Sequence, residues 1–255
     1  MIDIHSHIIP GIDDGSKNME MTLEMLIAAE KSGTKKIVAT PHYLMEYGEA
    51  KINEVKDHVE KINSIVNDEG INIEVYAGQE VYFTHNIIND YLEGNIGTIN
   101  DSRYMLIEFS MRNQEQNLFD TLYELQVRNI VPIIAHPERY KYIINKPSII
   151  NDFINEGYLF QMNAGSLEGV FGDSVRKTAE ILITNGIYNF IGSDAHNTTT
   201  RSVGISEGVD LANAKNKING ELIGESSRRL ILNEDIEFCG QKIKEKKSIF
   251  SFFGR

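Results

Sequence analysis

Short β-type runs alternate with helical stretches along almost the whole chain, and this alternation limits the fold more than any other feature. Residues 1–5 (MIDIH), 35–40 (KKIVAT), 71–78 (INIEVYAG) and 103–109 (RYMLIEF) read as strands. So do 130–136 (IVPIIAH), 157–163 (GYLFQMN) and 188–196 (YNFIGSDAH). Residues 18–31 carry Met19, Leu23, Leu26 and Ile27 at helical spacing, and Gly33 suits the helix end. The stretch 48–68 reads as a polar amphipathic helix, and Leu118, Leu122 and Leu125 share one face of another. Helices are also expected near 173–185 and over 203–230. Strands separated by crossover helices pair in parallel. About seven such units in a chain of 255 residues fit a closed or nearly closed α/β barrel better than an open sheet.

No repeat, linker or shift of composition marks a second folding unit, so one domain is expected over residues 1–235. Residues 236–255 stand apart, because QKIKEKKSIFSFFGR is basic and then aromatic without a periodic core pattern. The simplest reading is a disordered tail. A basic segment with Phe250, Phe252 and Phe253 could instead touch an anionic membrane surface or dock on a partner. No apolar run reaches the roughly 18 residues that cross a bilayer. The chain starts directly with a strand rather than a secretory leader, and its single cysteine, Cys239, leaves no internal disulfide. A cytoplasmic protein is expected.

The polar residues then cluster in one way. In an extended strand, His5 and His7 project to the same side, as a chelating imidazole pair would. Asp14 follows in the turn. His42 ends ATPH, Glu80 ends AGQE, Glu108 ends LIEF, His136 and Arg139 lie in AHPER, and Asp194 and His196 end GSDAH. In a parallel barrel all these carboxyl ends open on one face, where active sites form. Each residue taken singly has an ordinary reading. His42 could be a capping or core histidine, Glu108 a solvated strand end, and Asp14 plain turn chemistry. Together they indicate a metal cage, whereas His58 and His85 sit in polar contexts and read as solvated. A shell of imidazole and carboxylate without thiolate suits Mn, Fe or Zn, with Mg at an oxygen-rich position.

The formal charge of −12 argues against a nucleic-acid binder and looks awkward for a phosphate substrate. Several divalent ions answer this. Three of them with four carboxylates and a hydroxide leave an inner shell of about +1, to which Arg139 and Arg201 add.

The motifs HSH (5–7), DDG (13–15), TPH (40–42), GQE (78–80), EF (108–109), HPER (136–139) and SDAH (193–196) resemble the polymerase and histidinol phosphatase (PHP) superfamily. Within it the chain is similar to the bacterial protein-tyrosine phosphatases of capsule and exopolysaccharide operons, the CpsB type, from residue 1 to about 235. The resemblance implies a distorted (β/α)7 TIM-like barrel and a site for three ions, commonly Mn2+. By motif, His5, His7, Glu80 and Asp194 would hold the first ion and Glu80, Glu108 and His136 the second. Asp14, His42 and His196 would hold the third, with Arg139 and Arg201 gripping phosphate beside the catalytic Glu108 and His136. A water activated by the ions would attack phosphorus in line, and a phenolate with a pKa near 10 leaves readily. The substrate implied is a tyrosine-phosphorylated bacterial kinase that controls polysaccharide export, with no nucleic acid. Membrane contact would come only through the tail or the kinase, and the oligomeric state stays open. Cys239 lacks the setting of a thiol phosphatase and reads as inert. Another phosphomonoesterase of the superfamily, such as a histidinol phosphatase, shares these ligands. An amidohydrolase-type barrel also starts with HxH, but Glu80, Glu108 and HPER speak against it.

Overall fold

The computed structural model describes residues 1–45 and 47–244. The first half of the chain contains β1 (Ile2–Ser6), α1 (Met19–Lys31), β2 (Lys36–Ala39), β3 (His42–Leu44), β4 (Gly48–Glu49) and α2 (Ile52–Asp68). After them come β5 (Glu74–Ala77), β6 (Glu80–Tyr82), α3 (Ile87–Leu92), β7 (Tyr104–Glu108) and α4 (Leu118–Val127). The second half contains β8 (Val131–Ala135), α5 (Lys141–Asn145), α6 (Ile150–Asn155), β9 (Leu159–Asn163), α7 (Ala164–Glu168) and α8 (Asp173–Thr184). It ends with β10 (Phe190–Gly192), α9 (Ser206–Lys215) and α10 (Lys217–Ile231).

The strands form two ladders, β1–β2–β5 and β10–β9–β8–β7–β6–β3–β4. Two breaks connect them. β2 and β3 are one run interrupted at Thr40 and Pro41, and β5 and β6 one run interrupted at Gly78 and Gln79. Below the breaks β2 pairs with β5, and above them β3 pairs with β6, both in parallel. Counted as runs, seven parallel strands among the described residues therefore lie in sequence order. The outermost two meet at a bridge between Ser6 and Ala195, where His7 N donates to Ala195 O at 2.9 Å and Asp194 N to His5 O at 2.8 Å. This is the distorted seven-stranded barrel expected from the alternation.

Local chemistry fixes the elements. Asn18 caps α1 by accepting from Met21 N at 2.9 Å, satisfying a backbone donor that the first turn leaves free. Along α2, Ile52, Val55, Val59, Ile62 and Val66 form one buried stripe. The barrel interior is filled at its amino end by Ile4, Val38, Tyr104, Leu106, Ile133, Leu159 and Phe190, and Leu230 and Ile231 of α10 close it. Each such side chain contributes about 1.5–3 kcal/mol by leaving water.

Several expectations shift. The helix read over 48–68 begins only at Ile52, because Gly48 and Glu49 pair antiparallel with β3 as a hairpin. The last strand stops at Gly192, and the SDAH segment turns into the barrel mouth. Helices α3, α5, α6 and α7 carry no clear periodic signal, since five or six residues span barely two turns. Residues 236–244, set apart in the sequence, lie along the body. Phe238 packs on Phe160 at 6.1 Å, Gln241 N donates to Asn185 O at 2.8 Å, and Ile243 exchanges two hydrogen bonds with Asn151. Phe250, Phe252 and Phe253 fall outside the described residues. Among the described residues no helix is long and apolar enough to cross a membrane.

Candidate metal centre

The carboxyl ends of the strands bring all nine expected donors to one place. β1 delivers His5 and, one residue beyond its end, His7, whose Nε2 atoms lie 3.3 Å apart. Glu80 stands at the centre. Its Oε2 is 3.3 Å from His5 Nε2, 3.3 Å from His7 Nε2 and 3.0 Å from His42 Nδ1, and its Oε1 is 2.8 Å from His136 Nε2. Asp194 Oδ1 lies 3.6 Å from His5 Nε2 and 3.4 Å from His7 Nε2. Glu108 Oε1 is 3.7 Å from His136 Nε2, and Asp14 Oδ1 is 3.2 Å from His196 Nε2 and 3.6 Å from His42 Nε2. His5, His7, Glu80, His136 and Asp194 are buried, whereas Asp14 is half exposed at the mouth.

Three groups of donors emerge: His5, His7, Glu80 and Asp194; His7, Asp14, His42 and His196; and His42, Glu80 and Glu108. The first is the set expected from the motifs. In the other two the structure adds His7 beside Asp14, and places His42 next to Glu80 and Glu108, with His136 held against the opposite oxygen of Glu80. His58 and His85 join none of these groups. Cys239 is exposed, with its Sγ 3.6 Å from Glu237 O.

Electrostatics shows what the cage lacks. Burial raises Glu108 well above the usual carboxylate range, and the neighbouring Glu80 charge adds to it. Burial also pushes against Glu80, but His5, His42 and His136 outweigh it and hold that carboxyl well below its ordinary value. His136 falls to about 4, through burial and then the Arg139 charge, so its ring is neutral at physiological pH. A hydrogen bond from His196 brings Asp14 down to about 2. Burial disfavours charge on His5 and His7, yet the carboxylates around them raise both. Protons thus gather where cations would neutralise the same carboxylates. Among the described residues, buried His136 Nδ1 has no hydrogen-bond partner, and buried Asp194 Oδ1, His42 Nδ1 and His196 Nε2 have charged neighbours but no well-directed hydrogen bond, an arrangement costly for polar atoms unless an ion satisfies them. The nitrogen and oxygen donors, their orphaned atoms and their spacing fit divalent cations.

A second layer, not anticipated from the sequence, aims these donors. Asp13 Oδ2 takes His7 Nδ1 at 2.7 Å and the His42 backbone N–H at 3.0 Å. Gln161 Oε1 lies 3.1 Å from His5 Nδ1 and accepts from His136 N at 3.2 Å. Asn163 Nδ2 donates to Asp194 Oδ2 at 2.6 Å. Such partners fix ring orientation and tautomer at metal sites. A signal for two of them was present: Gln161 and Asn163 are the polar members of an alternating strand, LFQMN. Arg139 NH1 reaches Asp194 Oδ2 at 2.9 Å with its guanidinium 4.6 Å above the Phe171 ring, and Arg201 NH2 reaches Asp194 Oδ1 at 2.6 Å. Buried Glu138 ties the HPER turn to β9 and α7 by accepting from Asn163 N at 3.0 Å and Ser166 Oγ at 2.7 Å.

The backbone is tight here. His136 and Asp194 adopt positive φ of 30° and 52°, a strain that side-chain residues tolerate mainly where surrounding structure demands it. A Cβ at Gly192 would stand 2.5 Å from the Cβ of His5, so only glycine lets β10 approach β1.

The comparisons agree with this geometry. Residues 1–231 match the family model for capsular polysaccharide synthesis, CpsB/CapC. CapC of Staphylococcus aureus is 39% identical over 208 residues, 79% of each chain. The tyrosine-protein phosphatase YwqE of Bacillus subtilis is 30% identical over 99% of this chain and 100% of its own. A crystal structure from a pair described as unique metal-dependent tyrosine phosphatases, YwqE and CpsB of Streptococcus pneumoniae, superposes with a TM-score of 0.91 at 30% identity, covering 96% of this chain and 100% of that one. The chain therefore belongs to the CpsB/CapC capsular polysaccharide synthesis family.

Proposed function

We propose that this protein is a metal-dependent phosphotyrosine-protein phosphatase. Its substrate is a tyrosine-phosphorylated bacterial kinase that regulates capsular or extracellular polysaccharide synthesis in the cytoplasm. Three divalent cations, manganese first among them, would be held by His5, His7, Glu80 and Asp194, by Glu80, Glu108 and His136, and by Asp14, His42 and His196. Bound there, such ions would supply positive charge and water activated near neutral pH. The observation that carries this reading is one face of a barrel on which nine donors with orphaned buried atoms meet two arginines.

The protein's own part is positioning. Arg139 and Arg201 are half-buried and anchored on Asp194, and each keeps further N–H donors for phosphoryl oxygens. Among the described residues the Arg201 Nε has no hydrogen-bond partner. Phe171 holds the Arg139 plane by stacking. A tyrosine phenolate, with a pKa near 10, departs without a strong general acid. The relatives named as tyrosine-protein phosphatases favour a phosphotyrosyl substrate.

The test is hydrolysis of a phosphotyrosyl peptide by manganese-loaded protein, compared with histidinol phosphate. Activity should favour the peptide and vanish with a chelator or with His136→Ala. Activity that survives both treatments overturns the reading, and preference for histidinol phosphate replaces the substrate.

A further inference from the structure

A groove of about 380 Å³ lies between the β3–β4 hairpin, β6 and α3. Tyr43, Leu44, Val81, Tyr82 and Ile87 wall it, and Glu49 and Asp90 supply its acidic end. It lies beside the cage along two strands. His42 pairs in register with Glu80, and the next residues, Tyr43 and Val81, pair with each other. Tyr43 and Val81 line the groove, and His42 and Glu80, one residue earlier on the same two strands, belong to the cage. Tyr82, in register with the cage residue Glu108, also lines the groove.

The chemistry of the groove selects its occupant. Among the described residues, the side-chain partners of Asp90 are neutral, Tyr43 Oη at 3.5 Å and Asn95 Nδ2 at 3.3 Å. Glu49 is exposed. Aromatic and aliphatic walls that end in carboxylates suit a side chain with an apolar stem and a cationic head, through stacking and charge pairing. A chain in extended conformation crossing the rim would place one residue towards the cage and its neighbour towards the groove.

Resting on the phosphatase reading, we propose that this groove is the substrate's specificity subsite, receiving a lysine or arginine that flanks the phosphotyrosine. The test uses manganese-loaded full chain and three substrates: two phosphotyrosyl peptides differing only by Lys or Glu beside the phosphotyrosine, and p-nitrophenyl phosphate. The lysine peptide should be turned over with a kcat/KM about tenfold higher than the glutamate peptide, the size of about 1.4 kcal/mol in differential binding. Glu49→Gln and Asp90→Asn, singly and together, should bring that ratio towards one while leaving p-nitrophenyl phosphate turnover unchanged. Asp68→Asn with Glu69→Gln, exposed at the end of α2, removes the same charge remotely and should leave the ratio intact. The exposed Glu49 variant keeps the test valid if Asp90→Asn misfolds. Equal rates on the two peptides, a ratio that the groove variants do not change, or one that the remote pair changes equally overturns the subsite. Loss of p-nitrophenyl phosphate turnover in the unaltered protein would instead overturn the phosphatase reading, and the subsite with it.

Discussion

The two ends of the barrel are built from the same strands and hold opposite chemistry. On β7, Tyr104 and Leu106 belong to the apolar filling, and Glu108, two residues on, belongs to the cage. On β9, Leu159 lies in the filling, whereas Gln161 and Asn163 hold donor side chains in place. Period-two alternation carries one face of each strand from the oily amino end to the charged carboxyl end. Stability is thus concentrated where chemistry is absent. The apolar filling and the strand–helix layers supply the burial that the cage, with its mutually repelling carboxylates, does not.

The largest separation of the two ends is expected from a pair of substitutions. Glu80→Gln should lower phosphotyrosyl-peptide turnover at least about a thousandfold, since one carboxylate faces four imidazoles. Its thermal midpoint should fall less than that of Leu106→Ala, since the apolar filling is left intact. Leu106→Ala should do the reverse, costing about 2–5 kcal/mol of stability by opening a cavity, with turnover per folded molecule preserved. Denaturant melts and active-site titration measure both. Exchanged outcomes would erase the distinction between the ends.

Removal of cations sharpens it. His5 and His7 hold protons more tightly in the folded chain than free imidazole does, because Glu80, Asp194 and Asp13 outweigh burial. In metal-free protein that contribution is complete below about pH 6.5 and is lost as pH rises through the raised folded values. Cations replace it. Chelation should therefore lower the melting temperature more at pH 8 than at pH 6, against a gain of about 2.7 kcal/mol from metal at a hundred times its dissociation constant. A chelator effect equal at both pH values would contradict this account.

A smaller effect is expected one layer out. Asp13→Asn should weaken metal binding about 10–100-fold, because this carboxylate orients His7 and anchors the His42 backbone. Excess manganese should restore turnover, as read in a metal titration. The smallest effect comes from Asn18→Ala, which removes the α1 cap and should cost about 1 kcal/mol with turnover unchanged. A large loss of activity there would show that the cage depends on helix packing more widely than its hydrogen bonds indicate.

Much of this was legible before the structure. Strand-helix alternation gave the barrel, and the position of His5, His42, Glu80, Glu108, His136 and Asp194 after apolar runs placed them on one face. The hairpin β3–β4 was hidden inside a helical pattern, since two short strands and a turn carry too few residues to show a period. Asp13 was hidden by its neighbour: IDDGS offers two adjacent aspartates, of which Asp14 points to the mouth and Asp13 backs His7.

The sequence by itself determined which donors exist and at which ends of which strands, because period two and crossover topology are local rules that a parallel barrel converts into a shared face. Only the tertiary structure decided how those donors divide. β1 slips against β2 by one residue between Asp3 and Ser6, a bulge that lets Ile4 stay in the filling while His5 and His7 turn into the cage. The two broken strands, the bridge at Ser6 and the closeness of Gly192 to His5 then set the distances. Such decisions arise from contacts between residues far apart in the chain, and no local pattern contains them.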